Sequence, residues 1–429
     1  MSTPTSLDGL DFAFHDLPDL HATLADLRRR APWATVPFAG SRGILLLTHD
    51  LVAAAFKDEV TFPAAVTYRL TTGPVLGHTL QCMQGREHRI ARGIATPPLR
   101  RAKTAALVEP LLEPLAHELI DDFADRGTAD LVAEFTTRYP VLVISRLLGL
   151  PNADEATVHR WARDLFHFPL DPDAARRASR EFTAYVTPVL AERRRAPGDD
   201  LISLLVTTSA EGEHLTDEQV LSFLRLLFPA GADTTMLGLG NILSALLTHP
   251  EQLARVTADP DEWVRWAVWE GLRWEPPVGL LPRACPEAVQ WHGISIPAGT
   301  PMIFAITAAH RDPGHYPDPD RFDITRQATA MLSFGQGPHS CPGNWLALAE
   351  LTTALGALLA RLPGLRLRPG AADRARVTSQ VGTALRGPNA LAVEWDRRVF
   401  SPAAGTAPAP RRRRARPWWR RRARAGRCR

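Results

Sequence analysis

The sequence has little cysteine for its length: four residues among 429, none of them in a CxxC spacing. This scarcity excludes a disulfide scaffold and gives no indication of a zinc ribbon or a redox dithiol. No stretch reaches the roughly 18 uninterrupted apolar residues that a membrane-spanning helix requires. The N-terminus, MSTPTSLDGLDF, lacks the basic and apolar segments of a secretory signal. These absences predict a soluble, cytoplasmic protein whose thiols stay reduced.

Lysine is almost absent, since Lys57 and Lys103 are the only two, and nearly every basic side chain is arginine. Residues 411–429 contain eleven arginines and no acid, so a net charge of +4 for the chain leaves −7 for the part before this tail. We predict one domain over residues 1–400, followed by a disordered Pro/Ala linker and arginine-rich tail over 401–429. The tail could bind nucleic acid or an anionic membrane, but a solvated extension without such a partner is the favoured interpretation.

The remaining composition, with 45% hydrophobic and 22% charged residues, is typical of a soluble globular protein. From about residue 100 to 275, apolar residues recur at helical spacing. Short strands are predicted at 33–38 and 43–48, and a hairpin around His292-Gly293. The order Asp-Pro-Asp-Glu at 259–262 predicts a helix start, and a last helix is expected over 344–361. The fold class is therefore predicted as mainly α with small β-sheets.

The segment FGQGPHSCPG, at 334–343, places one cysteine in a glycine-rich turn before the last predicted helix. The helix dipole and free N–H groups at such a terminus are expected to favour the thiolate over the thiol. A thiolate of this kind could be a nucleophile, a redox sensor or a metal ligand. For an isolated cysteine, an inert buried thiol is the commoner interpretation.

The spacing FGxGxHxCxG closely resembles the haem-ligand loop of the cytochrome P450 superfamily. The resemblance implies a single triangular domain with haem b, whose iron is ligated by Cys341. It also implies roles for the other loop residues: Gly335 and Gly337 allow the tight turn, Gly343 lets the following helix approach the porphyrin, Phe334 shields the sulfur, and His339 faces a haem propionate.

A second segment, AGADTT at 230–235, resembles the helix that crosses the distal face of the haem in this family. By itself, this string is more typical of a helix N-terminus or a surface turn. A glycine inside a helix costs about 1 kcal/mol relative to alanine, which is tolerable if Gly231 makes room for a diatomic ligand. Ala230 and Gly231 are thus expected at the haem, with Asp233 and Thr234 as the catalytic groups that deliver protons.

Two further patterns have ordinary interpretations on their own. Glu270 and Arg273 indicate only a weak helix-surface ion pair, but the resemblance places them with Arg321 in a buried cluster that holds the haem loop. His88, Arg92 and Arg283 would each be taken for solvated surface groups. Matching positions in the family bind the haem propionates through charge-assisted hydrogen bonds.

Taken together, the motifs imply a cytochrome P450 monooxygenase that hydroxylates or epoxidises a mid-sized apolar molecule with O₂, in bacterial secondary metabolism. No GxGxxG fingerprint opens a helix, so electrons are expected from NAD(P)H through a separate ferredoxin reductase and ferredoxin. The ferredoxin is predicted to dock near the haem loop, on Arg86, Arg89 and Arg92.

Two alternatives remain open: a haem-thiolate enzyme of different chemistry (oxidative coupling, peroxygenase or isomerase) and a non-enzymatic haem-binding sensor. The substrate itself is not identified by the sequence. The pocket residues expected by position are nearly all apolar: Leu226, Pro229, Ala230, Val278 and Gly279. Pro229 lies inside the expected distal helix, where it either sharpens a kink or marks a helix break.

Overall fold

The computed structural model describes residues 10–397 except 18, 151–153, 167, 169–170, 328–330 and 382–383. The linker and arginine-rich tail expected at 401–429 lie outside the described residues, and the domain boundary near residue 400 stays a prediction. Within the described ranges the chain is mainly helical with small β-sheets, as predicted.

Helices form most of this structure, and short 3-10 or π-helical turns separate several of them. In chain order the α-helices are α1 (Leu20–Arg30), α2 (His49–Lys57), α3 (Ala64–Thr71), α4 (Gly73–Leu76), α5 (Gly85–Ala95), α6 (Arg101–Ala105), α7 (Glu113–Asp121), α8 (Arg138–Leu148), α9 (Glu155–Phe166), α10 (Pro172–Arg195), α11 (Leu201–Thr207), α12 (Asp217–Thr248), α13 (Pro250–Ala258), α14 (Pro260–Trp274), α15 (Ile306–Ala309) and α16 (Asn344–Arg361). The short turns are Leu80–Cys82, Pro97–Leu99, Val108–Leu112, Ala124–Arg126, Val132–Thr136 and Ile324–Arg326.

The strands lie mostly towards the two ends of the chain. They are β1 (Trp33–Phe38), β2 (Ser41–Leu46), β3 (Thr128–Asp130), β4 (Leu280–Cys285), β5 (Val289–Trp291), β6 (Ile294–Ile296), β7 (Thr300–Ala305), β8 (Arg366–Leu367), β9 (Val377–Val381), β10 (Leu385–Pro388) and β11 (Ala392–Glu394). The largest sheet has the order β1-β2-β7-β4, in which β2 and β7 are parallel and the other pairs antiparallel. It brings the N-terminal hairpin beside the segment that precedes the Cys341 loop.

The predicted helix cap and hairpin turn are confirmed, and the two predicted N-terminal strands lie within two residues of their expected positions. β1 has the predicted bounds, while β2 begins and ends two residues before the predicted strand. The Asp259 side chain accepts from the Glu262 N–H, 3.2 Å away, and caps α14 as expected. His292 and Gly293 both have positive φ (46° and 78°), the geometry of a tight hairpin turn between β5 and β6.

The long helix α12 is central to the fold. Its N-terminus carries a capping box, in which Thr216 accepts from the Gln219 N–H and the Gln219 side chain accepts from the Thr216 N–H. Its buried residues belong to both of the largest hydrophobic clusters. By length and apolarity it could span a membrane, but 72% of its most apolar window is buried inside the protein, as in a core helix. The helix is continuous through Pro229, so the predicted helix break is wrong.

The predicted ion-pair cluster is buried, but its third member is wrong. Glu270 and the fully buried Arg273 form a bidentate pair with both N···O distances at 2.8 Å. The Arg321 guanidinium is 66% exposed and lies 3.6 Å from Asp323, while its backbone carbonyl accepts from Arg273. Arg326 lies 3.4 Å from the Glu270 carboxylate instead, because the 3-10 turn after DPDRF brings it back over α14.

A second buried network joins α1 to the C-terminal sheet. The Glu275 carboxylate accepts from Arg386 Nε at 3.0 Å and lies 2.6 Å from His21 Nε2. Burial opposes ionisation of Glu275, but His21, Arg386 and Arg311 outweigh it and lower the pKa of Glu275 to about 2. Glu275 therefore stabilises the folded state above its unfolded pKa, and this contribution is lost as the pH falls towards 2.

We predict that Glu275→Gln lowers the free energy of unfolding by about 3 kcal/mol at pH 7, since it leaves Arg386 buried without its anion. The deficit should shrink from about pH 4.5 downwards, because the unfolded carboxylate takes up a proton there while the folded one, with a pKa of about 2, is still ionised. Urea unfolding at pH 7 and pH 3.5 measures both values, with the exposed Glu251→Gln as control. An equal deficit at the two pH values would show that packing, and not ionisation, is lost.

Candidate functional site

The loop at 334–343 is positioned by buried hydrogen bonds that begin at Arg273. The ring of His310 connects the two: Nδ1 lies 3.2 Å from the Arg273 carbonyl, and Nε2 accepts from the Leu332 N–H at 2.8 Å. The Gly335 N–H then donates to the Leu332 carbonyl. Burial and the charge of Arg273 lower the pKa of His310 to about 3, so the ring stays neutral and can accept this bond.

The loop turns as tightly as the glycines predict. Gly335 and Gly337 have φ of +63° and +74°, and a Cβ on Gly337 would lie 2.5 Å from the Phe56 carbonyl oxygen at the end of α2. The Cys341 N–H donates to the Phe334 carbonyl at 2.8 Å, and α16 begins three residues later. The side chain of Phe334 packs against the core cluster that contains α16. The fold thus presents the Cys341 thiol at the N-terminus of α16.

The sequence predicted that the helix terminus lowers the pKa of Cys341 and favours the thiolate, but the net shift of this pKa is upwards. Burial raises the pKa of Cys341, and the Gly343 N–H and the charge of Arg92 lower it only in part. At this thiol, burial thus outweighs the helix terminus. The Cys341 sulfur, at 4.0 Å, is the nearest atom to a Cβ built on Gly343, which leaves this side of the loop accessible to a flat group.

Three of the predicted propionate-binding residues lie on two elements, α5 and β4, and the two on α5 contact the loop directly. His88 is buried and Arg92 half-buried on α5, where Arg92 Nη2 donates to the Ser340 carbonyl at 2.7 Å. Arg283, 6% exposed on β4, donates to the Tyr68 hydroxyl and the Pro282 carbonyl. Neither guanidinium has an ion-pair partner among the described residues. We call Arg92 and Arg283, with His88 and His339 beside them, the cation group.

The fourth predicted residue, His339, lies against His88, with ring centroids 4.1 Å apart. Its Nε2 is 3.2 Å from the Glu59 carboxylate. The sequence did not indicate Glu59 as a site residue, because KDE at 57–59 belongs to no motif. Burial, then His339 and Arg92, lower the pKa of His88 to about 4. The His88 Nε2 atom is buried and has no hydrogen-bond partner in the described part of the chain. It could donate to or accept from a bound group.

On α12, the expected catalytic pair lies one turn after Pro229. The Asp233 side chain is 7% exposed, and the Thr234 hydroxyl donates to the Ala230 carbonyl at 2.8 Å. A Cβ on Gly231 would lie 3.4 Å from Ile144 of α8, which is an ordinary contact distance. Packing against α8 therefore does not demand the glycine, and the role expected for Gly231 beside a diatomic ligand stays a prediction.

The expected pocket residues divide between two walls. Leu226 and Pro229 are buried on α12, where Leu226 belongs to the cluster shared with α5 and α10, and Ala230 packs against that cluster. Val278 packs against the separate cluster of β2, β7 and α2. Gly279 contributes backbone bonds, to the Ala384 carbonyl and from the Thr307 N–H. The structure does not place these five residues in one cluster.

The arginines expected to dock a ferredoxin are largely neutralised. Arg86 pairs with Glu211 and Glu213, and Arg89 pairs with Glu211. Arg92 donates into the loop and is turned inwards. The expectation of a positive docking surface at these three residues is therefore wrong, because folding brings acidic residues of a remote turn over them.

The residues around Cys341 fit the haem that the sequence resemblance implies. The Cys341 thiolate would be a suitable protein ligand for the haem iron. The buried Arg283, the half-buried Arg92 and His88 Nε2, which have no ion-pair or hydrogen-bonded carboxylate partner among the described residues, match the two propionates of haem b in charge and hydrogen bonding. The side of the loop at Gly343 would accept the edge of a flat macrocycle.

Comparisons with known proteins agree with this geometry. A protein-family model described as Cytochrome P450 matches residues 166–363. The 6-deoxyerythronolide B hydroxylase of Saccharopolyspora erythraea is 33% identical over 398 residues, 88% of this chain and 96% of that protein. The mycinamicin IV hydroxylase/epoxidase of Micromonospora griseorubida is 34% identical over 403 residues, 91% of this chain and all of that protein. The solved structure of cytochrome P450 CYP109Q5 from Chondromyces apiculatus has a TM-score of 0.79 at 32% identity, with 88% and 95% coverage.

We predict that Arg283→Gln weakens haem retention about 10- to 100-fold, since a charge-assisted bond to a carboxylate contributes about 1.5–3 kcal/mol. The rate of haem transfer to excess apomyoglobin measures this loss. The exposed Arg42→Gln on β2 serves as a control and should transfer haem at the wild-type rate. Unchanged transfer from Arg283→Gln would remove this residue from the propionate site.

Proposed function

Because the chain belongs to the cytochrome P450 family, we propose that this haem-dependent monooxygenase hydroxylates or epoxidises a mid-sized apolar molecule of bacterial secondary metabolism. The observation that carries the proposal is the presentation of Cys341 at the N-terminus of α16 by a loop that Arg92 and His88 of α5 contact. Compounds in the names of two relatives, 6-deoxyerythronolide B and mycinamicin IV, are the first substrates to test.

Cys341 would bind the haem iron, while Arg92, Arg283, His88 and His339 would hold the propionates. When bound, the haem supplies the redox-active centre at which O₂ is reduced and one oxygen atom is inserted. The cation group would stabilise the two carboxylates in a region from which water is largely excluded. Glu59 is then expected to orient His339 by accepting from its ring.

Asp233 and Thr234 would manage protons on the distal side. The buried Asp233 carboxylate can take up a proton and pass it on, while the Thr234 hydroxyl is oriented by its bond to the Ala230 carbonyl. This arrangement leaves the lone pairs of Thr234 Oγ1 free to accept from a bound donor. The apolar side chains of Leu226, Pro229, Ala230 and Val278, with Gly279, would form the substrate walls and exclude bulk water.

Electrons would come from NAD(P)H through a separate flavin reductase and ferredoxin, in the cytoplasm. Because Arg86 and Arg89 are paired with acidic residues, we expect the ferredoxin to dock instead on the positive charges of Arg100, Arg101 and Lys103. These cations have no ion-pair partner among the described residues, and Arg101 lies 5.1 Å from the ring of Trp345, which is 37% exposed beside the loop. An acidic ferredoxin fits such a surface.

The decisive test is the carbon monoxide difference spectrum of the dithionite-reduced protein, for the wild type and Cys341→Ser. We expect the strongly red-shifted Soret band of a thiolate-ligated ferrous haem in the wild type, and its loss in the variant. Cys82→Ser, which removes another buried thiol, is the matched control and should keep the band. A band without the red shift, or no haem at all, would contradict the proposal.

We also predict that Thr234→Ala lowers the ratio of product formed to NAD(P)H consumed by tenfold or more, because general acid–base groups contribute about 100-fold or more to rate. Asp233→Asn should lower the rate of NAD(P)H oxidation itself. The neighbouring Thr235→Val is the control and should keep the wild-type ratio. Product and NAD(P)H are quantified with a compound that has first been shown to bind by spectral titration.

A further inference from the structure

Arg225 is a buried arginine inside the apolar helix α12, one turn before Pro229. It is 7% exposed. Its Nε donates to the Leu76 carbonyl at 2.9 Å, Nη1 to the Thr183 hydroxyl at 3.1 Å, and Nη2 to the Ser222 hydroxyl at 2.9 Å and to the Glu218 carboxylate. Each nitrogen of the guanidinium thus has an acceptor, and together these come from α4, α10 and α12.

The partner on α4 is a backbone carbonyl, and a neighbouring bond supports the same contact. The Ser179 hydroxyl of α10 donates to the Val75 carbonyl at 2.7 Å. Gly77, directly after α4, has φ +85°, and a Cβ there would lie 2.5 Å from Ser222 Oγ and 2.7 Å from Arg225 Nη2. Only glycine allows the chain to turn this close to the guanidinium.

Residues 64–95, which contain α4, connect the cation group to α12. At one end Tyr68 contacts Arg283, and at the other α5 carries His88 and Arg92. Between these ends, Val75 and Leu76 pack in the same cluster as Leu226 of the expected substrate wall. Residues 64–95 therefore contact both the cation group and the cluster that contains Leu226 of α12.

A charged side chain is an expensive way to fill an apolar helix interface. Burying an arginine costs several kcal/mol, and well-packed apolar residues of similar volume are often no less stable. A hydrogen bond to a carbonyl is directional, unlike an apolar contact. The bond from Arg225 to Leu76 therefore holds α4 in one position. An arginine with all three guanidinium nitrogens hydrogen-bonded at this interface indicates a function in positioning.

We propose that Arg225 is a positioning residue that holds α4 against α10 and α12 and thereby limits the size of molecules that reach the distal chamber. The proposal rests on the function proposed above, since it takes the space between the cation group and α12 as the substrate chamber. We call Arg225, Ser179 and Gly77 together the α4 clasp. Ser179 and Gly77 are its accessory parts.

The test compares Arg225→Met with Arg194→Met in the haem-loaded protein. Arg194 of α10 is the control, because like Arg225 it donates to backbone carbonyls of other segments, here two (Val206 and Leu215), and to a carboxylate, Asp217. Hydrogen exchange is followed at residues 73–77 and 206–215. Stopped-flow spectroscopy follows association of a bulky azole, clotrimazole, and of a small one, imidazole.

In Arg225→Met we expect about tenfold faster exchange at 73–77, about fivefold faster clotrimazole association, and unchanged imidazole association, since one lost hydrogen bond corresponds to a factor of about five. Arg194→Met should speed exchange only at 206–215. Arg225→Lys, which keeps the cation and part of the reach, should lie between Arg225→Met and wild type and serves if Arg225→Met does not fold.

Protected 73–77 amides in both Arg225 variants, or an equal rise for the two azoles, would overturn the proposal. The same changes in Arg194→Met would also overturn it, since they would reflect general loosening. Absence of an azole spectrum in the wild type would instead refute the proposed function, while the exchange contrast between the two arginine variants would still decide whether the clasp exists.

Discussion

The buried pair of Glu270 and Arg273 is the interaction on which the position of the Cys341 loop depends. Arg273 has no exposed surface, so its charge is tolerable only because every donor is used. The donors not bound to Glu270 hold the carbonyls of His310, Pro319 and Arg321, which fixes this irregular segment against α14. A neutral His310 then passes the constraint to Leu332 and into the loop.

The loop so fixed lies among groups whose charges are not balanced by the chain alone. Among the described residues, neither Arg92 nor Arg283 forms an ion pair within 4 Å, and burial raises the pKa of the Cys341 thiol in spite of its helix terminus. A ligand that brings two carboxylates and a metal cation would correct both conditions at once. Because such a ligand binds only the folded chain, the stability of this protein should rise steeply with haem binding.

The helix α12 combines two tasks that have opposite requirements. As the core helix it is apolar on most of its surface and joins the two largest clusters. As a wall of the chamber it carries Arg225, Pro229, Asp233 and Thr234 along about two turns, each of which weakens apolar packing or helical hydrogen bonding. The Arg225 donors are satisfied largely by neighbouring elements, and the Thr234 hydroxyl by the Ala230 carbonyl of its own helix.

The sequence by itself determined the features that depend on local chemistry. The cap at Asp259, the turn at His292-Gly293 and the last helix follow from residue preferences over a few positions, and a ten-residue spacing was enough to indicate the Cys341 loop. Only the tertiary structure decided which distant side chains meet. Arg326 replaced Arg321 beside Glu270, Glu59 joined His339, acids covered Arg86 and Arg89, and Arg225 reached α4. Such contacts depend on packing directions and on the cost of burying charge, which no local pattern encodes.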